Sequence, residues 1–171
     1  YTYSHLYKIP ATGLRFFTVY GPMGRPDMAY FGFADKYFAG EAIHIFNNGD
    51  FEHDLYRDFT YIDDIVEGIV RLLTKPPTAD DGAPSKVYNI GNNSPEKLMT
   101  FITTLEAALG EALGREVVFE KVFEPLKPGD VPATFASTDL LQEAVGFKPK
   151  TSIKEGLRKF AQWYVEYYGV K

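Results

Sequence analysis

The stretch LRFFTVYGPMGRPDM, residues 14–28, decides the fold that this sequence predicts. Its first half is apolar, aromatic and rich in β-formers, with no turn residue before Gly21, so we expect a buried strand over residues 11–20. Its second half places two glycines and two prolines within a few positions, which ends any strand or helix. Because ligands of α/β proteins collect beyond the carboxyl ends of strands, this loop, with Arg25 and Asp27, indicates an anion-binding site.

Length and composition indicate one globular domain. The 171 residues suffice for a hydrophobic core, and 45% apolar and 24% charged residues are ordinary values for a globular protein. The formal net charge of −5 argues against binding to nucleic acid or to a membrane surface, which calls for a basic face. There is no cysteine, and the three histidines lack metal-ligand spacing, so no metal is expected. No apolar run reaches the roughly 20 residues of a membrane helix, and we expect a cytoplasmic location.

The rest of the chain alternates strand and helix patterns, which is typical of the α/β class. Helix capping explains the Asp63–Asp64 pair better than paired acid–base catalysis, and Ser94 and Ser152 are the expected caps of two later helices. We expect a helix end at 1–8, about five further helices (28–40, 63–73, 94–109, 139–145 and 152–168), a few short strands (42–46, 57–62, 87–91 and 116–122) and a surface loop at 74–86.

Three stretches resemble the NAD-dependent epimerase/dehydratase family, the extended short-chain dehydrogenases. They are RFFTVYGPMGRPDM (15–28), RDFTYIDDIVEGI (57–69) and KPGDVPATFAS (127–137). Within the family, these stretches are most similar to UDP-glucuronate 4-epimerases. The resemblance implies a Rossmann-like α/β fold and a reaction in which NAD takes a hydride from C4 of a UDP-sugar and returns it to the opposite face.

The cofactor-binding features of that family do not occur in the sequence. It contains no G-x-G-x-x-G motif, and its one Tyr-x-x-x-Lys match, Tyr167 to Lys171, lies at the extreme C-terminus across the helix-ending Gly169 and is a chance match. We therefore expect residues 1–171 to be the C-terminal, substrate-binding portion of such an enzyme, including the last strands of its sheet. The resemblance puts the NAD-binding βαβ half and the catalytic Tyr and Lys upstream of residue 1. By itself the chain is expected to bind no NAD and to be inactive, whereas the intact enzyme would form a homodimer.

Thr18 and Arg25 are the candidates for binding the sugar carboxylate. A guanidinium can bind a carboxylate through two parallel hydrogen bonds, and a threonine hydroxyl can add another. The resemblance gives the two residues this role in glucuronate epimerases. The residues alone leave open that Arg25 pairs with Asp27 or stays solvated, and that Thr18 only fills a strand.

The nucleotide half of a UDP-sugar has its own candidates. Arg57 offers a planar cation for the diphosphate, and the carboxylate of Asp130 can accept hydrogen bonds from ribose hydroxyls. The resemblance adds that Ile45 and Phe46 present backbone groups to uracil, and that Lys127 stands where some relatives have an arginine directed at phosphate. A surface ion pair for Arg57 and a turn role for Asp130 stay open.

Two other functions remain compatible with these motifs. A UDP-glucuronate decarboxylase or a nucleotide-sugar dehydratase shares the scaffold, and the outcome depends on residues outside the sequence. A nucleotide-sugar binding module without catalytic activity would also lack the cofactor loop.

Overall fold

The computed structural model of the chain describes residues 1–79 and 82–171, which form six helices and nine short strands. The helices are α1 (Thr2–Tyr7), α2 (Ala29–Ala39), α3 (Ile62–Leu73), α4 (Leu98–Leu113), α5 (Asp139–Val145) and α6 (Ile153–Tyr168). The strands are β1 (Ala11–Phe16), β2 (Thr18–Tyr20), β3 (Ile43–Ile45), β4 (Tyr56–Arg57), β5 (Phe59–Tyr61), β6 (Ser85–Ile90), β7 (Glu96–Lys97), β8 (Lys121–Phe123) and β9 (Ala133–Thr134).

The strands pair mainly in parallel. β1 pairs with β6, β2 with β5 and β3 with β8, and each of these pairs is parallel. A three-stranded sheet has the order β7-β4-β9, with β4 antiparallel to β7 and parallel to β9. Parallel neighbours need long crossover connections, which are here supplied mostly by helices, and the α/β class follows from this arrangement.

The core consists of two clusters. In the larger one, the ring of Tyr20, which is 1% exposed, makes edge contacts with four aromatic rings, and Phe59 stacks on Phe101 with 3.8 Å between ring centroids. This cluster fixes the end of β2 against α2, α4 and α6. A smaller cluster lies between α3, α5 and β6 and contains Ile65, Leu72, Tyr88, Ile90, Leu141 and Phe147.

The single buried strand predicted at 11–20 is wrong in two respects. It is two strands separated at Phe17, whose N–H donates to the carbonyl of Ile90 at 3.3 Å. The chain changes partner at this point, from β6 to β5. The first strand is also only partly covered, and Phe16 is 51% exposed. Local hydrophobicity therefore predicted an extended chain correctly but could not show where its partner changes.

The predicted cap of α3 is also wrong. Tyr61 precedes the first helical residue, and no side chain caps the helix there. Asp64 is buried and accepts hydrogen bonds from the backbone N–H of Thr151 at 2.9 Å and of Lys150 at 3.3 Å. Asp64 thus joins the start of α3 to the segment before α6. Leu73, the last residue of α3, is 74% exposed.

Helix α4 begins at Leu98, four residues after the predicted cap Ser94. Its cap comes from another part of the chain, because buried Asp54 accepts a hydrogen bond from the N–H of Met99 at 2.8 Å. The same carboxylate accepts from Asn47 Nδ2 and from the N–H of Leu55. A cap supplied from 45 residues away leaves no signal next to the helix.

The strand predicted at 116–122 is limited to β8, which begins at Lys121. The preceding residues Val117 and Phe119 are buried in the core without forming a strand, since the N–H of Phe119 binds the carboxylate of Glu106 instead. The loop predicted at 74–86 gives way to β6 at Ser85, and residues 80 and 81 of that loop lie outside the described residues.

Five helices agree with the sequence. Helices α1, α2, α3, α5 and α6 lie within one or two residues of their predicted positions. The hydroxyl of Ser152 accepts a hydrogen bond from the N–H of Glu155 at 3.2 Å, which confirms the predicted cap of α6. Gly40, Gly146 and Gly169 end their helices in the left-handed conformation.

Candidate functional site

A cavity of about 560 Å³ lies between α2, the end of β3, β4 and the loop 124–132. Its walls are largely apolar, and a few polar and charged side chains reach it. Such a surface is typical of a small-molecule site. Five of the six residues predicted to bind substrate line this cavity: Thr18, Ile45, Phe46, Arg57 and Asp130.

Arg57 is held by its backbone in the middle of the three-stranded sheet. Its strand β4 lies between β7 and β9, with Arg57 opposite Glu96 and Thr134. Its Nη1 donates to the carbonyl of Tyr56 at 2.8 Å and to that of Pro132 at 3.4 Å. In the described part of the chain, no carboxylate lies within ion-pair distance of this guanidinium, so its charge is available to a ligand.

The carboxylate of Asp58 fixes the segment next to Arg57. Asp58 is 0% exposed and accepts three backbone N–H donors, from Asn92, Asn93 and Ala136, each at 3.0 Å. Gly91 leaves room for this carboxylate, because a Cβ there would lie 2.6 Å from Asp58 Oδ2. The arrangement ties the β4–β5 link to the loop after β6 and to the segment after β9.

The loop that carries Asp130 docks on the end of β3. The N–H of Glu124 donates to the carbonyl of Ile45 at 2.8 Å, and the ammonium of Lys127 lies 3.8 Å from the ring centroid of Phe46. The N–H of Asp130 donates to the carbonyl of Lys127 at 3.0 Å, which closes a turn. Asp130, Ile45 and Phe46 are thereby brought to one cavity.

Arg25 does not line this cavity. Its guanidinium forms two hydrogen bonds with the carboxylate of Asp27, at 3.0 and 2.7 Å, and both side chains are well exposed. The hydrogen bonds and charge of Asp27 raise the pKa of Arg25, and those of Arg25 lower the pKa of Asp27. Asp27 does line the cavity, so Arg25 contacts a residue of the cavity wall without being part of that wall.

Tyr30 fixes the Gly/Pro loop next to the cavity. Its hydroxyl donates to the carbonyl of Gly21 at 3.3 Å, and burial raises the pKa of the phenol, which keeps it neutral. A Cβ at Gly24 would lie 1.7 Å from that hydroxyl, so only glycine fits there. The glycines that predicted a turn therefore also allow a close approach between the loop and α2.

The structure adds cavity residues that the motifs did not indicate. Lys36 lies in the last turn of α2, and His44 lies on β3, where it contacts the carboxylate of Glu124. Met28 lines the cavity at the start of α2. The helical spacing of α2 could have pointed to Lys36, whereas the position of His44 depends on the pairing of β3 with β8.

Among residues 1–79 and 82–171, no group of acidic, histidine or cysteine side chains is arranged to hold a metal ion, and no helix is long and apolar enough to cross a membrane. The sequence contains no G-x-G-x-x-G motif.

Parallel strand pairs with helical crossovers, and polar residues at the strand ends, define an α/β protein with a small-molecule site. The family model for the NAD dependent epimerase/dehydratase family matches residues 1–91, more than half of the chain. The chain therefore belongs to this family, as the resemblance of its three motifs predicted.

Similar curated proteins are longer than this chain. It is 49% identical over 180 residues to Protein CapI of Staphylococcus aureus, covering 98% of this chain and 51% of that protein. It is 43% identical over 178 residues to UDP-glucuronate 4-epimerase 6 of Arabidopsis thaliana, covering 100% of this chain and 37% of that protein. The chain spans about half the length of the curated relatives it matches, or less.

Solved structures confirm the fold class. UDP-glucuronic acid 4-epimerase from Bacillus cereus, crystallised with UDP-glucuronic acid and NAD, matches with a TM-score of 0.76 at 28% identity, over 98% of this chain and 49% of that one. UDP-glucose 4-epimerase from Thermotoga maritima, crystallised with UDP-glucose, matches with a TM-score of 0.76 at 26% identity, over 98% of this chain and 50% of that one. The fold is thus that of the C-terminal half of extended short-chain dehydrogenase epimerases.

Proposed function

We propose that this chain is the UDP-sugar-binding portion of an NAD-dependent 4-epimerase that acts on UDP-glucuronate. The observation that carries the proposal is the cavity itself. Thr18, Arg57 and Asp130 come from three separate stretches of sequence and line one hollow of about 560 Å³ in a member of the epimerase/dehydratase family. The names of similar proteins, UDP-glucuronate 4-epimerases among them, support the choice of substrate.

The nucleotide is proposed to lie at the end of the cavity formed by β3, β4 and the loop 124–132. Arg57 binds the diphosphate through its guanidinium, which can hold two phosphate oxygens at once. Because the backbone of Arg57 is fixed in a sheet, binding does not have to order this part of the chain. Asp130 accepts hydrogen bonds from the ribose hydroxyls. The backbone groups of Ile45 and Phe46 bind uracil, which selects the base by hydrogen-bond pattern rather than by charge.

The sugar carboxylate is proposed to bind Thr18 and Arg25. The Arg25–Asp27 pair is exposed, and such pairs are weak because water and salt screen them. A substrate carboxylate that enters the cavity beside Asp27 can therefore replace the carboxylate of Asp27 as the partner of the Arg25 guanidinium. The threonine hydroxyl, on the first residue of β2, supplies an additional donor.

These contacts anchor the parts of the substrate that do not react. Anchoring lowers the entropic cost of bringing C4 to a reactive group and lets the sugar ring turn while the nucleotide stays bound. In the intact enzyme, NAD supplies the hydride chemistry. The residues of this chain contribute binding and orientation, and we expect the 171-residue chain alone to show no epimerase activity.

A comparison of two ligands tests the assignment of the carboxylate. Calorimetric titration of the chain with UDP-glucuronate and UDP-glucose is repeated for Arg25→Ala. We expect affinity for UDP-glucuronate to fall on the order of tenfold and affinity for UDP-glucose to change little, since only the first ligand has a carboxylate. Arg115→Ala, which removes an exposed arginine far along the sequence, is the matched control.

Two results would contradict the proposal. If Arg25→Ala weakened both ligands equally, Arg25 would not bind the carboxylate. If the wild-type chain bound neither ligand, the cavity would not be a UDP-sugar site in this chain.

A further inference from the structure

Lys36 stands at one end of a helix face that borders the cavity. The residues of α2 that line the cavity include Ala29, Gly32, Phe33 and Lys36, which recur at spacings of three and four. Such spacing places side chains on one face of a helix. Lys36 is half-buried and lines the cavity.

The charge of Lys36 is not neutralised by neighbouring carboxylates. Asp35 points elsewhere and accepts a hydrogen bond from the hydroxyl of Tyr164. Asp27, at the other end of the helix, is engaged by Arg25. In the described part of the chain, no carboxylate lies within 4 Å of the Lys36 ammonium. The cavity therefore contains a cation that the protein leaves available.

Space for a ligand lies between the start of α2 and Lys36. A Cβ at Gly32 would have no heavy atom within 4 Å, so the middle of this helix face is open. Eight residues separate Met28 from Lys36, which at 1.5 Å per residue is about 12 Å along the axis. Lys36 is thus well separated from the Gly/Pro loop, where the sugar carboxylate is proposed to bind.

We propose that Lys36 binds a phosphate of the nucleoside diphosphate and shares this charge with Arg57. The inference rests on the proposed function, which requires a UDP-sugar in this cavity. An ammonium is a compact charge with three donors, well suited to a phosphate oxygen. Aromatic residues of the same cavity wall, such as Phe33 and Phe101, reduce screening by water and strengthen the attraction.

The phosphate contact is tested by comparing UDP with uridine, which lacks phosphate. Ligand-observed NMR measures both affinities for the wild-type chain and for Lys36→Met, which keeps the length of the side chain and removes its charge. We expect affinity for UDP to fall about tenfold. Affinity for uridine should stay within about twofold.

Two further variants complete the test. Lys36→Arg keeps the positive charge and should retain affinity for UDP within about threefold. Lys154→Met removes an exposed lysine outside the cavity and should change neither affinity. Thermal unfolding of each variant reports whether the fold is intact.

Each contrary result identifies what has failed. An equal loss for UDP and uridine would show that Lys36 contacts the nucleoside, and an unchanged affinity for UDP would show that it contacts no ligand. Either result would overturn the phosphate contact while leaving the proposed function in place. Failure of the wild-type chain to bind UDP would instead overturn the proposed function and this inference with it.

Discussion

A single carboxylate, that of Asp58, joins three segments of the chain next to Arg57. Its three donors come from the loop after β6 and from the segment after β9, and every one of them is a backbone N–H. Hydrogen bonds to a carboxylate are stronger than hydrogen bonds between neutral groups. A buried N–H without an acceptor lowers the stability of the folded state. The position of Arg57 in the cavity therefore depends on a neighbour that touches no ligand.

Removal of this carboxylate should be strongly destabilising. We expect Asp58→Ala to lower the free energy of unfolding by about 3 kcal/mol, because three buried N–H groups lose their acceptor. Chemical denaturation measures the effect. Asp63→Ala, which removes an exposed carboxylate of α3, should stay within about 0.5 kcal/mol of wild type. A loss for Asp58→Ala no larger than that of the control would contradict the anchoring role.

For single residues, the sequence indicated the candidates that line the cavity better than the residues that anchor its segments. Arg57 stands in a motif and carries a charge that suits phosphate, so a local pattern was enough to propose it. The role of Asp58 depends on donors 34, 35 and 78 residues away. Arg25 is the intermediate case, because its local partner Asp27 was considered beforehand and is the partner it has in the structure.

Among the elements, α6 illustrates how closely a helix can approach a strand. A Cβ at Gly156 would lie 2.3 Å from the hydroxyl of Tyr20 and 2.7 Å from two of its ring atoms. The hydroxyl of Tyr20 also donates to the carbonyl of Ser152 at 3.2 Å. Glycine at position 156 thus allows the aromatic core at the end of β2 to pack directly against the helix.

Two glycine substitutions in helices should have opposite effects. Gly156→Ala should lower the free energy of unfolding by about 2 kcal/mol, because a methyl group forces the Tyr20 ring to move in a packed core. Gly32→Ala in α2 should raise it by about 0.5 to 1 kcal/mol, since alanine favours the helix and its Cβ meets open space. Thermal unfolding of both variants checks the signs. Stabilisation by Gly156→Ala would mean that the close packing of α6 on Tyr20 is wrong.

The capping residue of a helix could be predicted only where it lies next to the helix in the sequence. Ser152 lies three residues before its donor Glu155, and the pattern was sufficient. Helix α4 is capped by Asp54 from a distant loop, and its start was placed four residues early, at Ser94. Asp64, predicted as a cap, is instead committed to the N–H of Thr151. Tertiary hydrogen bonds, which a local pattern cannot contain, account for each of these differences.

At the scale of the whole molecule, the cavity is assembled from segments that lie far apart in sequence. Residue Thr18 comes from β2, Arg57 from β4 and Asp130 from the loop before β9. The class of fold could be predicted because strand and helix patterns alternate along the chain. The exact pairing of β3 with β8 could not, since both strands are only three residues long and carry little pattern.

The polar groups of the residues that line the cavity are suited to ligand binding: a guanidinium on a sheet strand, a carboxylate in a turn and backbone groups at a strand end. Groups that would transfer hydride or protons are implied by the family and lie in no motif of this sequence. The central claim is accordingly about where and how a UDP-sugar binds.

A crystal structure of the chain with UDP-glucuronate tests that claim most directly. We predict that the nucleotide lies in the cavity between α2, β3 and the loop 124–132, with phosphate oxygens about 2.7–3.2 Å from the guanidinium nitrogens of Arg57. A ligand bound at another surface, or one held in the cavity with its diphosphate away from Arg57, would contradict it.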